Sequence, residues 1–194
     1  MTAMTKPLPF IVVDTCILLS NVLRYLSFAV ASHGYFYPVW SPCIRAEWLR
    51  NAARLWQLPA AQLATDWEQW EQQYPLANQS QYFAYTQGLQ YSDPKDWHVI
   101  AAARAAQAST GGPVGILTKN IKDFNRSELR RLHIQRYSPD VFFHEWALQQ
   151  PNLAKTVLEG VVQTTQTAQG PVYSLSELLK RERLFNLNTY YRSL

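Results

Sequence analysis

The sequence predicts an α/β protein in which a parallel central sheet is flanked by helices and followed by an α-helical C-terminal extension. Short β-branched runs alternate with helical stretches through the first three quarters of the chain, which is the order that a parallel sheet with crossover helices requires. Residues 151–194 then carry two helical patterns and no strand signal. The 194 residues are 47% apolar and 16% charged, a balance that excludes a disordered or fibrous protein.

Phe10-Ile-Val-Val13 ends in Asp14 and reads as a strand buried on both faces. Ile17, Leu18, Val22, Leu26 and Val30 then recur at helical spacing until Gly34. Phe36 to Val39 is a second strand. Ser41-Pro42 supplies an N-cap and a first-turn proline for a helix running through Trp48 and Leu55. Pro59 opens another helix, with Leu63, Trp67, Trp70 and Tyr74 on one stripe. Residues 75–91 are polar and aromatic without a period and read mostly as loop. Asp93-Pro94 starts an alanine-rich helix ending near Ser109, and Gly111-Gly112-Pro113 turns the chain into a strand over Val114 to Leu117. A short basic helix from Arg126, a strand near Ile134 and a helix from Pro139 follow. In the tail, the polar stretch Gln163 to Gly170 separates the two helical patterns, and Ser174 with Glu177 is spaced as a capping box. These signals divide the chain into a domain over residues 8–145 and an extension over 146–194.

A chain of this size buries enough surface to fold without a disulfide or metal. Cys16 and Cys43 lack CxxC spacing, which excludes a zinc ribbon and a disulfide framework. The longest apolar run, Leu8 to Leu19, is interrupted by Asp14 and lacks a small-residue cleavage site. The expectation is a reduced, cytoplasmic protein with no membrane span and no signal peptide. The net charge of +4 is unevenly placed: residues 1–100 hold six basic against seven acidic residues, and residues 101–194 hold twelve against seven. A basic excess in one half points to an anionic partner at one surface.

Ligands of open parallel sheets bind beyond the carboxyl ends of the strands, and the acidic residues fall there. Asp14 ends the first strand, and Asp123 lies in the loop after the strand at 114–117. Asp93 and Asp96 open the helix that leads into that strand, and Glu47 is one turn into the helix after the second strand. Gathered carboxylates repel one another unless a hard divalent cation neutralises them. Such a cation activates water and steadies a phosphoryl transition state, so the chemistry is metal-assisted phosphodiester hydrolysis. Each acid also has a plainer reading. Asp14 reads as an N-cap, Asp93 with Asp96 as a capping box, and Glu47 as a surface ion-pair partner near Arg54. Asp123 is not needed as a cap, because Asn125 and Glu128 supply one for the next helix.

Val13-Asp14-Thr15-Cys16-Ile17-Leu18 resembles the opening motif of PIN-domain nucleases. Trp40-Ser-Pro-Cys-Ile-Arg-Ala-Glu47-Trp48 resembles their second motif, and Asp93-Pro-Lys-Asp96-Trp-His98-Val resembles a segment of a VapC-like toxin subfamily. Thr118-Lys-Asn120-Ile-Lys-Asp123-Phe124 is similar to its fourth motif, and Ser138-Pro-Asp-Val-Phe-Phe143 to its ending. The tail is similar to that subfamily's C-terminal helical extension. Cys16 stands where an asparagine is common, and Lys95 where an acid is.

The resemblance implies a PIN-like fold and a metal-dependent endoribonuclease, the toxin of a type II toxin–antitoxin pair. It makes Asp14, Glu47, Asp96 and Asp123 the catalytic, metal-holding quartet for Mg²⁺ or Mn²⁺. Asp93, Thr118 and Asn120 stand in auxiliary roles: Thr118 to bond a ligating carboxylate, Asn120 as a neutral ligand or a turn residue. His98 is two residues from Asp96, on another helix face, and reads as structural or supporting rather than as a ligand. RNA is the substrate, with Lys119, Lys122, Arg126, Arg130 and Arg131 next to the Asp123 loop as its phosphate contacts. A small antitoxin protein is the implied partner, and a homodimer is compatible. The tryptophan stripe at 63–74 reads first as a core face and second as a partner groove. The rival reading is a catalytically inactive PIN-like module that binds RNA or a protein. A haloacid dehalogenase-type phosphatase is disfavoured, because Cys16 occupies the place of its second aspartate.

Overall fold

The computed structural model of the chain describes residues 8–165 and 171–194. The end of the polar stretch at 166–170, and Lys6 and Pro7 before the first apolar run, lie outside the described residues. Four strands form one all-parallel sheet in the order β2-β1-β3-β4: β1 (Phe10–Val13), β2 (Tyr37–Val39), β3 (Val114–Leu117) and β4 (Ile134–Tyr137). Phe10 pairs with Tyr37 on one side and Val114 on the other, and Leu117 pairs with Tyr137. The two central strands are buried along nearly their whole length, which is why they read as unbroken apolar runs. Pro38 is tolerated because β2 is the outermost of the four strands. Gly115 is demanded by packing: a Cβ there would stand 2.7 Å from the Tyr137 ring and 2.9 Å from Ile11.

Helices flank the sheet. The helical pattern after β1 is broken in two, α1 (Thr15–Leu18) and α2 (Asn21–Ser32), because the Ser20 hydroxyl accepts the Leu23 N–H and starts a new N-terminus. Helices α3 (Pro42–Trp56) and α4 (Ala60–Gln73) pair through an aromatic cluster in which Trp48 meets Trp67 and Trp70 at ring distances of 5.4 and 4.9 Å. Leu63, Trp67 and Tyr74 are buried inside the chain, so the stripe is a core face. Residues 75–91 contain one 3₁₀ turn, Tyr82–Thr86.

Helix α5 (Trp97–Thr110) begins after the 3₁₀ turn Pro94–Asp96 and buries Ala102, Ala103 and Ala106 in the apolar core, small side chains that let neighbouring elements approach closely. The 3₁₀ turn Ile121–Asp123 and α6 (Arg126–Arg131) connect β3 to β4. Helix α7 (Pro139–Gln149) crosses residues 145 and 146 without a break. The tail forms three helices where two patterns are legible in sequence: α8 (Pro151–Thr165), α9 (Leu175–Arg181) and α10 (Phe185–Tyr191). Arg183, at φ 60°, turns the chain between the last two. The expected capping box at Ser174 and Glu177 is formed. Helix α8 lies against α2 so closely that a Cβ at Gly160 would stand 2.0 Å from the Tyr25 hydroxyl oxygen. Leu158, Leu179 and Leu187 belong to the same apolar cluster as the sheet. Among the described residues, no helix is long and apolar enough to cross a membrane.

Candidate functional site

Strand order reverses between β1 and β3, since the chain leaves β1 for β2 on one side and later returns to β3 on the other. The residues that leave these two strands are Asp14 and Thr118, side by side. The Asp14 N–H continues the ladder to the Leu117 carbonyl at 3.1 Å, and the Thr118 hydroxyl donates to Asp14 Oδ2 at 2.6 Å. Cys16 Sγ donates to the same oxygen at 3.1 Å. Thr118 also accepts the Asn120 N–H at 3.0 Å, and Cys16 accepts the Lys119 N–H at 3.2 Å, so backbone fixes both donors. Asp14 is 4% exposed. Burial raises its carboxyl above the ordinary value, against the bonds from Thr118 and Cys16. Burial and the neighbouring Asp14 charge push the Cys16 thiol up to about 12, so it remains a protonated donor.

Asp14 and Asp96 each occupy the N-cap position of a helix, and neither side chain makes the cap hydrogen bond. The N-cap reading of Asp14 and the Asp96 half of the capping box therefore lose their physical basis. Asp93 does act locally: its carboxylate accepts the Lys95 N–H at 3.0 Å, and its own N–H donates to the Asp123 carbonyl at 2.8 Å. That last bond ties the 93–96 turn to the turn that carries Asp123. Asp96 is raised to about 6, first by burial, then by the charges of Asp14 and Asp123. The three aspartates thus share one electrostatic neighbourhood. Their oxygens do not come within 4.8 Å of one another as a set among the described residues.

Glu47 lies in an adjoining group. Its carboxylate accepts the Thr15 hydroxyl at 3.0 Å and faces His98 Nε2 at 3.5 Å. It is held below the ordinary carboxylate range, chiefly by His98. For His98, burial opposes the charged form, yet Glu47 and the Lys95 carbonyl raise its pKa above the usual value. His98 also acts electrostatically on Asp14 and Asp96. It is the cationic group that the two sets of acids share.

The expected phosphate contacts divide. Lys122, Arg126 and Arg130 are exposed and make no salt bridge among the described residues. Arg126 and Arg130 line an open groove of about 560 Å³ with His133 and Gln135. Lys119 pairs with Glu182 of the tail at 3.1 Å, and Glu182 also accepts the Ser20 hydroxyl at 2.7 Å. Arg131 leans toward Glu128 at 3.9 Å and the Gly88 carbonyl at 3.4 Å. Arg136 turns inward, donating to the carbonyls of Ile121 and Phe124 and bracing the Asp123 turn. Asn120 is exposed, in keeping with a turn residue.

Two contributors escape a sequence reading. Glu128, 1% exposed, accepts backbone N–H bonds from Gln90, Tyr91 and Ser92 at 2.8, 3.3 and 2.9 Å. It anchors the segment that delivers Asp93 and Asp96, while Asn125 alone caps α6. Thr15 positions Glu47 from the residue next to Asp14. A hydroxyl following a strand-end aspartate is the only local signal for Thr15, and Glu128 has none, because its partners are 36 to 38 residues away. No family model, no curated protein and no solved structure matches this chain.

Proposed function

We propose that the chain is a divalent-metal-dependent endoribonuclease of PIN-like fold. One observation carries the reading: Asp14, Asp96 and Asp123 are gathered at the switch point of a parallel sheet, without the cap bonds that would explain two of them. No lysine or arginine of the chain forms a salt bridge with any of the three among the described residues. Protein carboxylates gathered at such cost fit a hard cation, and an all-oxygen donor set suits Mg²⁺ or Mn²⁺. Bound there, the ion would supply Lewis-acid polarisation of a phosphate and an activated water.

The chain's own residues set up that chemistry. Thr118 and Cys16 fix one oxygen of Asp14 in a single orientation. Thr15 and His98 hold Glu47 ionised at the edge of the group. The Asp93 N–H and Arg136 hold the Asp123 turn against the start of α5. Lys122 lies in that turn and Arg126 opens the helix after it, both exposed, so they are the candidates to bind phosphates flanking the scissile bond. The sequence motifs extend the reading to the toxin of a two-gene pair, cytoplasmic and held in check by a small antitoxin.

The test is cleavage of single-stranded RNA by purified protein with Mn²⁺ or Mg²⁺. Cleavage is expected with either ion, is abolished by a chelator, and falls more than about 100-fold in Asp14→Asn. Equal cleavage, or equal growth arrest on induction, by wild type and Asp14→Asn would sink the catalytic reading.

A further inference from the structure

Beside the three aspartates lies a donor set of different chemistry. Cys43 and Glu47 are four residues apart on α3 and share one face of the helix. His98, in the first turn of α5, points its ring between them. The sulfur, a carboxylate oxygen and a ring nitrogen of these residues all lie within 4.8 Å of one another. Among the described residues, no other group of three histidine, cysteine or acidic side chains is so close.

The tautomer of His98 follows from its surroundings. Nδ1 is 2.8 Å from the Lys95 carbonyl oxygen, which only accepts, so Nδ1 carries a hydrogen. Nε2 is then the nitrogen left for a proton or a metal. It is buried and has no hydrogen-bond partner; its nearest acceptor, Glu47 Oε2, is at 3.5 Å, beyond normal N–H···O distance. An imidazole pinned at Nδ1 by a backbone carbonyl, with Nε2 facing a carboxylate and a sulfur, is oriented as metal-bound histidines are. Two donors of a tetrahedral zinc ion, each about 2.0–2.1 Å from the metal, stand about 3.4 Å apart. The Glu47–His98 separation of 3.5 Å is already that edge. The Tyr82 hydroxyl hydrogen-bonds the Cys43 sulfur.

We propose that Cys43, Glu47 and His98 form a zinc site, with a fourth position open to water. A thiolate and an imidazole select a borderline-soft ion over Mg²⁺ or Mn²⁺. Zinc displaces the Cys43 thiol proton and any proton held at His98 Nε2, and both leave to solvent. The ion clips the start of α3 to the start of α5. The site shares Glu47 with the acidic group, but it rests on its own three side chains and not on the nuclease reading.

Titration of the full chain with Co²⁺ tests it. A thiolate-to-cobalt charge-transfer band in the near ultraviolet is expected, disappearing on addition of Zn²⁺. The band is lost in Cys43→Ser, weakened at least 10-fold in apparent affinity in His98→Gln, and retained in Cys16→Ser. A second measurement needs no variant: stoichiometric Zn²⁺ slows alkylation of Cys43 by iodoacetamide, read by peptide mass. A wild-type protein without the band, a band that survives Cys43→Ser or vanishes in Cys16→Ser, or an alkylation rate indifferent to Zn²⁺ overturns the assignment. RNA cleavage without the cobalt band would fail this inference alone, and the band without cleavage would fail the nuclease reading alone.

Discussion

Replacing Asp96 by asparagine should make the protein more stable at neutral pH. Asp96 is raised from 3.8 to about 6 by burial and by the charges of Asp14 and Asp123. A folded-state pKa above the unfolded value means that the native protein binds the proton more tightly. Ionisation therefore costs stability as pH rises from about 4 through about 6, and the full cost is present above that. Two units would correspond to about 3 kcal/mol, but Asp96 is only half-buried and solvent screens its neighbours, so about 1–2 kcal/mol is expected. With a urea m-value of about 2 kcal/mol/M, the Asp96→Asn midpoint should lie about 0.5–1 M above wild type at neutral pH. Near pH 4 the gap should shrink to a small fraction of its neutral-pH size, because the carboxyl is then neutral in the native state and about half-protonated in the unfolded one. Saturating Mn²⁺ should also narrow the gap, since it binds the folded wild type better than the variant. The measurement is urea unfolding followed by tryptophan fluorescence at both pH values. A variant less stable than wild type at neutral pH, or a gap that persists unchanged at pH 4, would refute the idea that Asp96 is held against its own charge.

Thr118→Val removes the 2.6 Å donor to Asp14 while keeping shape; a hydrogen bond to a charged group is worth about 1.5–3 kcal/mol. RNA cleavage should fall about 10- to 100-fold in kcat with little change in KM, and unchanged kinetics would remove Thr118 from the site. Glu128→Gln should lower stability by about 1–3 kcal/mol, because an amide nitrogen cannot accept and faces a backbone N–H on whichever side it takes. Burial works against the Glu128 charge, but those N–H groups hold its pKa below the usual value. Its contribution is thus present above the unfolded value of 4.5 and lost as pH falls through the depressed one. A urea midpoint equal to wild type would show that the 90–92 segment is held by something else. Mn²⁺ binding should release protons and tighten as pH rises through about 6, where Asp96 ionises. Calorimetry in buffers of different ionisation enthalpy reads this directly, and an enthalpy independent of buffer would contradict it.

The sheet is legible in the sequence because the central strands are buried on both faces, which forces runs without polar side chains at 10–13 and 114–117. The break at Ser20 is not, since the apolar spacing of Leu18, Val22 and Leu26 runs straight across it. Only the bond from the Leu23 N–H to the Ser20 hydroxyl shows that a new helix starts there. The acids are visible as residues at strand ends, but their sequence contexts equally suit capping. What separates the alternatives is the missing cap bond at Asp14 and Asp96, a fact of geometry. Cys43 and Glu47 can be seen to share a helix face, yet nothing local places His98 opposite them. Glu128 reads as part of a cap because Asn125 precedes it by three residues. Its carboxylate instead serves backbone groups of a distant segment, whose N–H donors leave no trace in side-chain identity.

The charge pattern shows how the protein keeps such a site folded when no ion is bound. Asp14, Asp93, Asp96 and Asp123 act on one another across the ends of β1, β3 and the turn before α5. Glu47 adds a fifth carboxylate at the edge, answered chiefly by His98 and more weakly by the Arg50 charge. The +4 net charge helps little with the aspartates, because no lysine or arginine forms a salt bridge with them among the described residues. Protons do the balancing: Asp14 and Asp96 are both biased toward their neutral forms and His98 toward its charged form. On the proposed reading, a divalent cation would compete with these protons for the same place, and binding it would release them.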